Sequence, residues 1–494
     1  MVGIAAWGAY APRLRLSRRA VVEANAWVAP NLKSKGKGER SMANWDEDAL
    51  TMAVEAARDA LGAGDDRSHI DALYFASTTA PFADRLNAGV VSAALTLEKS
   101  ITASDVTGSQ RCGLTALADA LAAVSGGAAK TALVAAGERR KARAVSALEL
   151  DCGDGAAAFV VTAEGGAADF LGRGSVTDDF VDHFRGNDGG FDYAWEERWI
   201  RDEGIVKLVP PAVKRALAAA RVAPADVAHF CFPSTFAGMA TTLAKTLGIP
   251  AEAVRDNLAA VMGEAGSGHG PLMLAHALEQ AKAGEIIVVA QFGQGAEALV
   301  FRATGAANLK PARGVTGSLA DRQEETNYLK FLMFNGLVDW DKGMRAEKDN
   351  KTALTTLYRN EDMILGLVGG RCRETGVVQF PRTRISVAPN NPAVDTQEPY
   401  RFAERKASVL SYSADYLTFS MAPPNHYGMI VFEGGGRIMM DITDVSPGDV
   451  DTGLPVKMVF RIKDIDEKRG FVRYFWKAAP DRSAVSAQTA VAAE

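Results

Sequence analysis

The chain has 494 residues, of which 48% are hydrophobic and 23% charged, and its formal net charge is −5. This length accommodates two or three domains with a large core, and the composition is that of an ordinary globular protein. The small negative charge gives no general argument for binding to nucleic acid or to an anionic membrane.

Four cysteines are scattered along the chain without paired spacing: Cys112, Cys152, Cys231 and Cys372. This pattern favours a reducing compartment over a disulfide framework. The N-terminus lacks a signal-peptide pattern, and no apolar run reaches the length of about 18 residues that a membrane-spanning helix needs. We therefore predict a cytoplasmic protein.

The predicted elements of the first half follow a strand–helix alternation. They are a strand and turn, a helix near Arg18–Asn25, a Lys- and Gly-rich loop over Asn31–Arg40, a helix from Asp46 to Leu61 capped by Asp46 or Asn44, a buried strand over Ile70–Thr79, a helix at about 88–97, a strand at Asp105, a helix behind Cys112, a strand over Thr131–Gly137 and a tight turn at Gly153–Gly155.

The segment around Cys112 stands out because a turn-prone stretch, Thr107-Gly108-Ser109, leads directly into the cysteine. An Ala- and Leu-rich pattern follows, which predicts a buried helix. A thiol in the first turn of a helix meets the positive end of the helix dipole, which favours the thiolate, and Arg111 could add to that effect. The alternative is that Cys112 is a small core residue.

From about residue 205 the pattern repeats. The predicted elements are a helix over Val206–Ala220, a strand over Val227–Thr235, a helix over Met239–Leu247, a strand near Asn257–Met262, a helix over Leu272–Ala281, a strand over Glu285–Ala290 and a glycine turn at Gly293–Gly295.

Two pairs of positions share one offset in this repeat. Ser234 lies 157 residues after Ser77, and His269 lies 157 residues after Cys112. If the halves are related by a pseudo-twofold axis, the central helices that begin at Cys112 and His269 meet at their starts. A chance coincidence of the two offsets is the alternative.

The rest of the chain has a different pattern. Strand-like segments with turn residues are predicted over Ser408–Phe419, Gly428–Phe432, Arg437–Ile442, Pro455–Ile462 and Phe471–Trp476, with a hairpin turn at Gly434-Gly435-Gly436. Five such strands in about 75 residues suggest a small β-barrel.

Taken together, several segments resemble the thiolase superfamily, nearest to ketoacyl synthase III and 3-hydroxy-3-methylglutaryl-CoA synthase. They are the Cys112 segment, Gly153–Ala158, Gly293-Gln294-Gly295 and Asp182-His183-Phe184-Arg185. Residues 350–478 resemble the OB-fold, acyl-CoA-associated domain of thiolase-like proteins, with marks at Gly370-Arg371-Cys372, Phe380-Pro381, Thr443-Asp444-Val445 and Tyr474-Phe475-Trp476.

The resemblance implies an α/β protein with a duplicated, five-layered αβαβα thiolase-like fold followed by an OB-fold barrel. The expected domains are 1–305 with halves of about 1–165 and 166–305, a linker with helices over 306–365, a degenerate zinc-ribbon-like segment over 366–400, the OB-fold over 401–478 and a disordered tail over 479–494. The barrel is expected to dock against the thiolase-like dimer and to shape the acyl-CoA entrance.

The resemblance also implies a homodimer that takes an acyl group from coenzyme A onto Cys112 and passes it to or from a second acyl or carbonyl substrate. The backbone at Gly293 and Gly295 would stabilise the oxyanion. Coenzyme A thioester enters as a substrate. We expect no covalently bound cofactor, no zinc, and neither nucleic acid nor membrane as a partner.

The chain departs from the resembled families at several positions. The synthase branch has a catalytic histidine where this chain reads Cys231-Phe232-Pro233-Ser234, and no histidine stands in that stretch, since His229 comes earlier. The family's general-base glutamate would fall near Thr78. Gly268-His269-Gly270 instead resembles the thiolase segment whose histidine activates the cysteine. We therefore expect His269 to be the partner of Cys112, with His183, Glu264 and Ser234 as supporting candidates.

The zinc ribbon is expected to have lost its metal. The family pattern places cysteine pairs at Cys372 and Thr375, and near Ser386 and Pro389, so that one thiol remains. A structural zinc site needs four ligands, which hydroxyls and a proline cannot supply. Packing around Val378 and Phe380 should replace the metal, unless the segment no longer forms a ribbon.

Two classes of function fit these residues. The first is an acyl-CoA-dependent acyltransferase that forms or cleaves a C–C bond through an acyl-Cys112 intermediate, in a Claisen or retro-Claisen reaction. The second is a non-catalytic subunit that binds or scaffolds acyl-CoA, and a retro-aldolase of the same superfamily is a further alternative. The missing strand histidine favours the scaffold, and the Cys112–His269 pair favours the enzyme.

Overall fold

The computed structural model describes residues 1–187, 189–305, 310–349 and 351–483. Its residues group into two units. The larger unit comprises Met1–Gly62, Asp66–Ser92 and Leu97–Val338, and the smaller one comprises the remaining residues. No helix in the described part of the chain is both long and apolar enough to cross a membrane.

The strands of the larger unit alternate with its helices along the chain. The strands are β1 (Gly3–Tyr10), β2 (Leu14–Ser17), β3 (Glu39–Met42), β4 (Ala72–Ala76), β5 (Thr102–Val106), β6 (Thr131–Arg139), β7 (Asp154–Thr162), β8 (Ala168–Thr177), β9 (His183–Phe184), β10 (Tyr193–Ala194), β11 (Val227–Cys231), β12 (Ile286–Phe292), β13 (Gly295–Ala303) and β14 (Gln323–Glu325). The helices are α1 (Arg18–Asn25), α2 (Ala49–Leu61), α3 (Asn87–Ala94), α4 (Cys112–Ser125), α5 (Ala147–Asp151), α6 (Glu197–Trp199), α7 (Val206–Ala220), α8 (Met239–Leu247), α9 (Ala259–Met262), α10 (His269–Gln280), α11 (Gly314–Ala320) and α12 (Tyr328–Phe334).

Nine of these strands form one sheet in the order β11-β12-β13-β8-β1-β7-β6-β4-β5. Within the first half, β4 pairs in parallel with β5 and β6, and β7 pairs antiparallel with β6 and β1. Within the second half, β12 pairs in parallel with β11 and antiparallel with β13. The halves join where β1 meets β8, at Gly3 and Ile4.

The central layer consists of α4 and α10, whose Ala- and Leu-rich surfaces pack against strands of both halves. Leu114 and Leu117 of α4 lie in the same buried cluster as Leu272 and Leu274 of α10. Helix α2 covers the outer side of the first half, and α7 covers that of the second. The layers therefore follow the predicted αβαβα order, since apolar faces of helices and sheets must cover one another.

Two local predictions in this unit were wrong. Helix α2 begins at Ala49, and its cap is Asp48 rather than Asp46 or Asn44. The carboxylate of Asp48 accepts a hydrogen bond from the Thr51 N–H, and the Thr51 hydroxyl accepts one from the Asp48 N–H, each at 2.8 Å. This reciprocal pair satisfies two backbone donors that the helix start leaves open.

The second wrong prediction is the strand near Asn257–Met262, which is instead the short helix α9. Leu258 has a φ of +59°, which interrupts extended backbone. The side chain of Asn257 then accepts a hydrogen bond from the Ala259 N–H at 3.1 Å and starts the helical turn. The following central helix begins at His269, three residues earlier than predicted.

The smaller unit contains α13 (Leu354–Arg359), α14 (Glu361–Ile364), β15 (Val368–Cys372), β16 (Val378–Gln379), β17 (Gln397–Arg401), β18 (Ala407–Asp415), β19 (Asn425–Phe432), β20 (Arg437–Asp441), β21 (Pro455–Asp466) and β22 (Phe471–Pro480). Strands β16-β15-β17 form one sheet, and β20-β19-β18-β21-β22 form another. The five-stranded sheet agrees with the predicted barrel, and β19 and β20 form the hairpin expected at Gly434–Gly436.

The C-terminal boundary of this unit differs from the predicted one. Strand β22 runs to Pro480, beyond the expected end of the barrel, because Ala478 and Ala479 are buried and paired with β21. The rest of the predicted tail from 484 onward lies outside the described residues, as do 306–309 and 350 of the predicted linker.

The capping pair of α2 gives a stability prediction. Replacement of Asp48 by alanine removes the side-chain acceptor for the Thr51 N–H, and we expect a loss of about 1 kcal/mol in unfolding free energy. Asp48→Asn keeps an acceptor and should stay close to the wild type. Denaturant unfolding checks both variants. Equal losses for the alanine and asparagine variants would contradict the capping role.

Candidate active site

Cys112 is the first residue of α4, and its side chain is buried. The Cys112 N–H donates to the carbonyl oxygen of Ser109 at 2.9 Å, which closes the turn that leads into the helix. The predicted turn and the predicted helix are both present. The thiol therefore lies at the start of a central helix, among groups that come from both halves of the unit.

Burial controls the protonation of this thiol. Desolvation raises the pKa of Cys112 strongly, and the nearby carboxylate of Glu138 raises it further. Hydrogen bonds from the Ser267 side chain and from the backbone of Cys112 and Gly113 act in the opposite direction but are smaller. Burial therefore opposes the thiolate that the helix start was expected to favour.

Arg111 does not assist the thiol, contrary to the expectation from its position. Its Nε donates to the carbonyl oxygen of Gly293 at 3.0 Å, and its Nη1 donates to Glu297 at 3.2 Å. Glu297 is fully buried on β13. The guanidinium therefore neutralises Glu297 and ties the β12–β13 turn to the segment that precedes Cys112.

Glu138 is the site residue that the sequence analysis missed. It lies near the end of β6 and is fully buried. Its carboxylate accepts hydrogen bonds from the Thr78 N–H at 3.0 Å, from the Thr78 hydroxyl at 2.9 Å, from the Thr79 hydroxyl and from the Ser267 hydroxyl at 2.6 Å. The sequence does carry a signal for this residue, because Glu138 is an acidic residue in a strand that is otherwise apolar and buried.

The starts of α4 and α10 lie close together, as the repeat predicted. A side chain at Gly113 would collide with the carbonyl oxygen of Ser267, so only glycine allows the two segments this separation. Gly266 has a φ of +50°, and a Cβ atom there would lie 2.7 Å from the Cγ of Glu138. These two glycines bring the segment of Ser267 against the first turn of α4 and against Glu138.

His269 is fully buried at the first position of α10. Its Nδ1 accepts a hydrogen bond from the Ala265 N–H at 2.8 Å, and its Nε2 donates to the carbonyl oxygen of Asn257 at 2.6 Å. A backbone N–H can only donate and a carbonyl can only accept, so these partners fix the neutral Nε2–H tautomer. Burial also lowers the pKa of His269.

The hydrogen bonds of His269 do not agree with the expectation that it takes the proton of Cys112. The repeat places both residues at helix starts, but each ring nitrogen of His269 is already bonded to backbone. Neither nitrogen is left to accept the thiol proton in this arrangement. His269 instead organises the loop of residues 257–265 around the start of α10.

His183, one of the supporting candidates, lies in a loop at the edge of the site. Its Nδ1 lies 2.7 Å from the Asp182 carboxylate, and its Nε2 lies 3.3 Å from the Nε2 of Gln110. The neighbouring Arg185 donates to the carbonyl oxygen of Thr78. The loop is thus attached to the groups that surround Glu138, and His183 contacts Gln110 rather than the thiol.

Glu264 and Ser234, the other supporting candidates, are bonded to other partners. Glu264 pairs with Arg140 at 2.8 Å and is buried. The hydroxyl of Ser234 accepts from the Phe236 N–H at 3.0 Å, in the turn after β11. Their contribution to the reaction remains a prediction.

Gly293 and Gly295 form the turn between β12 and β13. The Gly293 N–H donates to the carbonyl oxygen of Gly295 at 3.0 Å, so this amide is occupied within the turn. The Gly293 carbonyl oxygen accepts the Ser109 hydroxyl at 2.6 Å, which holds the turn against the segment before Cys112. The predicted part of these glycines in stabilising an oxyanion stays a prediction.

Two further cysteines and one further histidine of this unit lie in the core. Cys152 and Cys231 are fully buried, and burial raises the pKa of each to about 12. The Nε2 of His229 lies 2.8 Å from the Glu285 carboxylate, and the ring is packed inside the unit. None of these side chains supplies an acid or base to Cys112 in the described contacts.

In the smaller unit, Cys372 lies beside Thr375 and Ser386, two of the positions at which the resembled family has zinc ligands. Hydrogen bonds with Thr375, Thr396 and Ser386 lower the pKa of Cys372 to about 6. Hydroxyls hold a metal poorly, so these residues do not fit zinc. Among the described residues, no group of three or more His, Cys, Asp or Glu side chains is arranged to hold a metal. Val378 is buried and Phe380 packs edge-on against Phe402, which agrees with the predicted apolar anchors.

The tautomer of His269 predicts a pH effect on stability. Because the folded protein holds this ring neutral while the unfolded chain titrates near about 6.5, protons favour unfolding below that pH. Wild-type protein should therefore lose more thermal stability between about pH 7.5 and about pH 5.5 than His269→Gln, which cannot titrate. Equal losses, measured by calorimetry, would contradict a neutral buried ring.

The ribbon gives a metal prediction. Purified protein should carry far less than one zinc per chain, and Cys372→Ser should leave the metal content unchanged, because one thiolate cannot replace four ligands. Elemental analysis after gel filtration checks this. Stoichiometric zinc that is lost on Cys372→Ser would show that other groups complete a metal site.

Comparison with solved structures supports the fold. A structure described as MvaS in complex with 3-hydroxy-3-methylglutaryl coenzyme A aligns with a TM-score of 0.56 at 19% identity and covers 67% of this chain and 91% of that chain. The 3-oxoacyl-(acyl carrier protein) synthase III of Pseudomonas aeruginosa aligns with a TM-score of 0.55 at 22% identity, over 61% of this chain and 98% of that one. At these identities the likeness establishes the thiolase-like fold alone.

Sequence comparison is more specific. Residues 217–302 match the family of the 3-oxoacyl-[acyl-carrier-protein] synthase III C-terminal region, and residues 400–461 match that of the ChsH2 C-terminal OB-fold domain. The hydroxymethylglutaryl-CoA synthase of Methanocella arvoryzae is 30% identical over 336 residues, which are 67% of this chain and 96% of the relative. The synthase of Methanobrevibacter smithii is 28% identical, over 68% of this chain and 99% of the relative. The chain therefore belongs to the hydroxymethylglutaryl-CoA synthase family of acyltransferases and carries an OB-fold domain at its C-terminal end.

Proposed function

We propose that this protein forms or cleaves a C–C bond in acyl-CoA substrates through an acyl-thioester on Cys112. The observation that carries the proposal is the position of this thiol at the first turn of the central helix α4, in a chain that belongs to a family of acyltransferases. Among the described residues, no other cysteine lies at the start of a helix.

The first step is an exchange of thioesters. The sulfur of Cys112 attacks the carbonyl carbon of the acyl-CoA, a C–S bond to the enzyme forms, and the C–S bond to coenzyme A breaks. The thiol proton ends on the departing coenzyme A sulfur. The dipole of α4 favours the negative charge that develops on the oxyanion at the start of this helix.

The second step joins the acyl group to a carbon nucleophile, or runs in reverse. In the Claisen direction, the enolate of a second acyl or carbonyl substrate attacks the acyl-Cys112 carbonyl carbon, and the cysteine sulfur leaves. In the retro-Claisen direction the same bonds break and form in the opposite order. The names of the relatives suggest a short acyl group and a coenzyme A thioester as substrates.

The proposed assembly is a homodimer in the cytoplasm. Strand β5 ends the nine-stranded sheet, and its outer edge has no partner strand among the described residues. An edge of this kind is a ready site for pairing with a second copy of the chain. The four cysteines are all free thiols, which supports a location in the reducing cytoplasm.

The scaffold alternative keeps one argument in its favour. Cys112 is a buried thiol whose pKa is raised, and His269 offers it no nitrogen. A subunit that only holds acyl-CoA would bind the thioester without forming a covalent adduct. Covalent labelling therefore separates the two functions.

We expect acetyl-CoA or another short acyl-CoA to acylate Cys112, because the sulfur is the nucleophile that the proposal requires. Intact-mass and peptide mass spectrometry should find the adduct on the wild-type protein and on Cys231→Ala, which removes a core thiol outside the helix start. Cys112→Ala should carry no adduct while it remains folded.

Two results would overturn the proposal. One is an adduct that persists on Cys112→Ala or that maps to another cysteine. The other is tight binding of acyl-CoA by the wild type with no adduct over the time course of a slow enzyme, which would favour the scaffold.

A further inference from the structure

His183 is the histidine that the fold brings to the turn before Cys112. Its Nε2 lies 3.3 Å from the side-chain nitrogen of Gln110, a residue two positions before the cysteine, and its Nδ1 lies 2.7 Å from the carboxylate of Asp182. We propose that His183, oriented by Asp182, is the base that removes a proton from the α-carbon of the second substrate. This role rests on the function proposed above and supplies the acid–base group of its second step.

The hydrogen bonds of Gln110 fix which of its atoms faces His183. The Thr78 hydroxyl has one proton, which it donates to Glu138 at 2.9 Å, so the Thr78 oxygen accepts from Gln110 at 3.1 Å. The atom of Gln110 at this place is therefore the amide nitrogen, and its other hydrogen is available to His183. Consequently Nε2 of His183 is an acceptor, and the ring proton lies on Nδ1, where it bonds the carboxylate of Asp182.

This tautomer is the one that a general base needs. A carboxylate at Nδ1 leaves the electron pair of Nε2 free to take a proton, and it stabilises the imidazolium that then forms. The 3.3 Å bond to Gln110 is longer than the usual range of about 2.7–3.2 Å. Hydrogen bonds of catalytic groups are often long before substrate binds. A substrate can therefore replace this bond at small cost.

The hairpin of β9 and β10 turns His183 toward the site. The next residue on β9, Phe184, is 55% exposed, whereas the side chain of His183 is only 16% exposed. Successive side chains of a strand point to opposite faces, so His183 lies on the inner face. Arg185 donates to the carbonyl oxygen of Thr78 and pairs with the buried Asp192. The inner face of the hairpin is thus attached to the segment that follows β4.

The other five histidines of the chain are bonded elsewhere or lie elsewhere. Each ring nitrogen of His269 is bonded to backbone, and Nε2 of His229 is bonded to Glu285. The remaining three are His69, His276 and His426. Among the described residues, His183 is therefore the one histidine with a side-chain hydrogen bond to the turn that leads into Cys112.

The proposed step balances in atoms and charge. In the Claisen direction, the α-C–H bond of the second substrate breaks, and its proton goes to Nε2 of His183. The electron pair of that bond forms the new C–C bond to the acyl carbon, and the C–S bond to Cys112 breaks. The imidazolium then returns the proton to the Cys112 sulfur. The retro-Claisen direction reverses each transfer, and no further reactant is needed.

The test follows the α-proton itself. Acetyl-CoA incubated with the enzyme in heavy water should gain deuterium in its methyl group, because the proton held by His183 exchanges with solvent before it returns. His183→Gln keeps a polar side chain but cannot take up this proton, so the exchange should slow by about 10²-fold. Acylation of Cys112 by the same acetyl-CoA should be unchanged, because His183 contacts Gln110 rather than the thiol. Mass spectrometry measures both rates.

The difference between the two rates separates a base from a structural residue. If His183 only attached the hairpin to Gln110, its replacement would slow exchange and acylation together, or would slow neither in folded molecules. Exchange at the wild-type rate would show that another group removes the proton. Any of these results would overturn the proposal.

A matched control and a second variant complete the experiment. The ring of His229 is also bonded to a carboxylate, that of Glu285, so His229→Gln makes the same change outside the site and should leave both rates of folded protein unchanged. Asp182→Asn leaves His183 in place but cannot stabilise its imidazolium, so exchange should slow at least about tenfold while acylation is unchanged. Normal exchange in Asp182→Asn would overturn the proposal even if His183→Gln failed to fold.

The two assays also distinguish failure of this step from failure of the proposed function. Exchange that depends on His183, together with no adduct on Cys112 of the wild type, would retain the base and reject the covalent intermediate. An adduct on Cys112 with no exchange in the wild type would retain the nucleophile and reject His183 as the base.

Discussion

The site depends on how closely the starts of α4 and α10 are packed in the central layer. Glycine at position 113 lets the backbone of Ser267 lie directly against the first turn of α4. Helix starts expose backbone donors, and buried donors need partners inside the protein. The polar side chains at this junction are therefore bonded to specific partners, which explains why Ser267, Glu138 and His269 are all fully buried and all hydrogen-bonded.

This close packing gives His269 a role that differs from the one expected from the sequence. His269 satisfies backbone groups at Ala265 and Asn257, and it fixes the loop before α10. Ser267, two residues earlier, donates its hydroxyl proton to the carboxylate of Glu138. The residue at the position equivalent to Cys112 in the repeat therefore stabilises the fold around the start of α10.

The repeat, the central helices and the barrel could be predicted because apolar periodicity and turn residues determine them locally. The position of Cys112 followed from the same signals. The partners of His269 could not be predicted, because residue spacing gives the helix start but not the direction of each ring nitrogen. Glu138 was missed because its hydrogen bonds depend on Thr78, which follows β4, 60 residues earlier, and meets Glu138 only through the parallel pairing of β4 with β6.

The fusion of the two units in one chain has a consequence for assembly. Dilution of the protein does not change the concentration of one unit around the other, because a single chain connects them. For a short flexible connection this effective concentration is about millimolar, whatever the amount of protein. Synthesis of the chain also produces them in a fixed one-to-one ratio. A change in expression therefore alters both units together, and neither can be recruited by a different partner without the other.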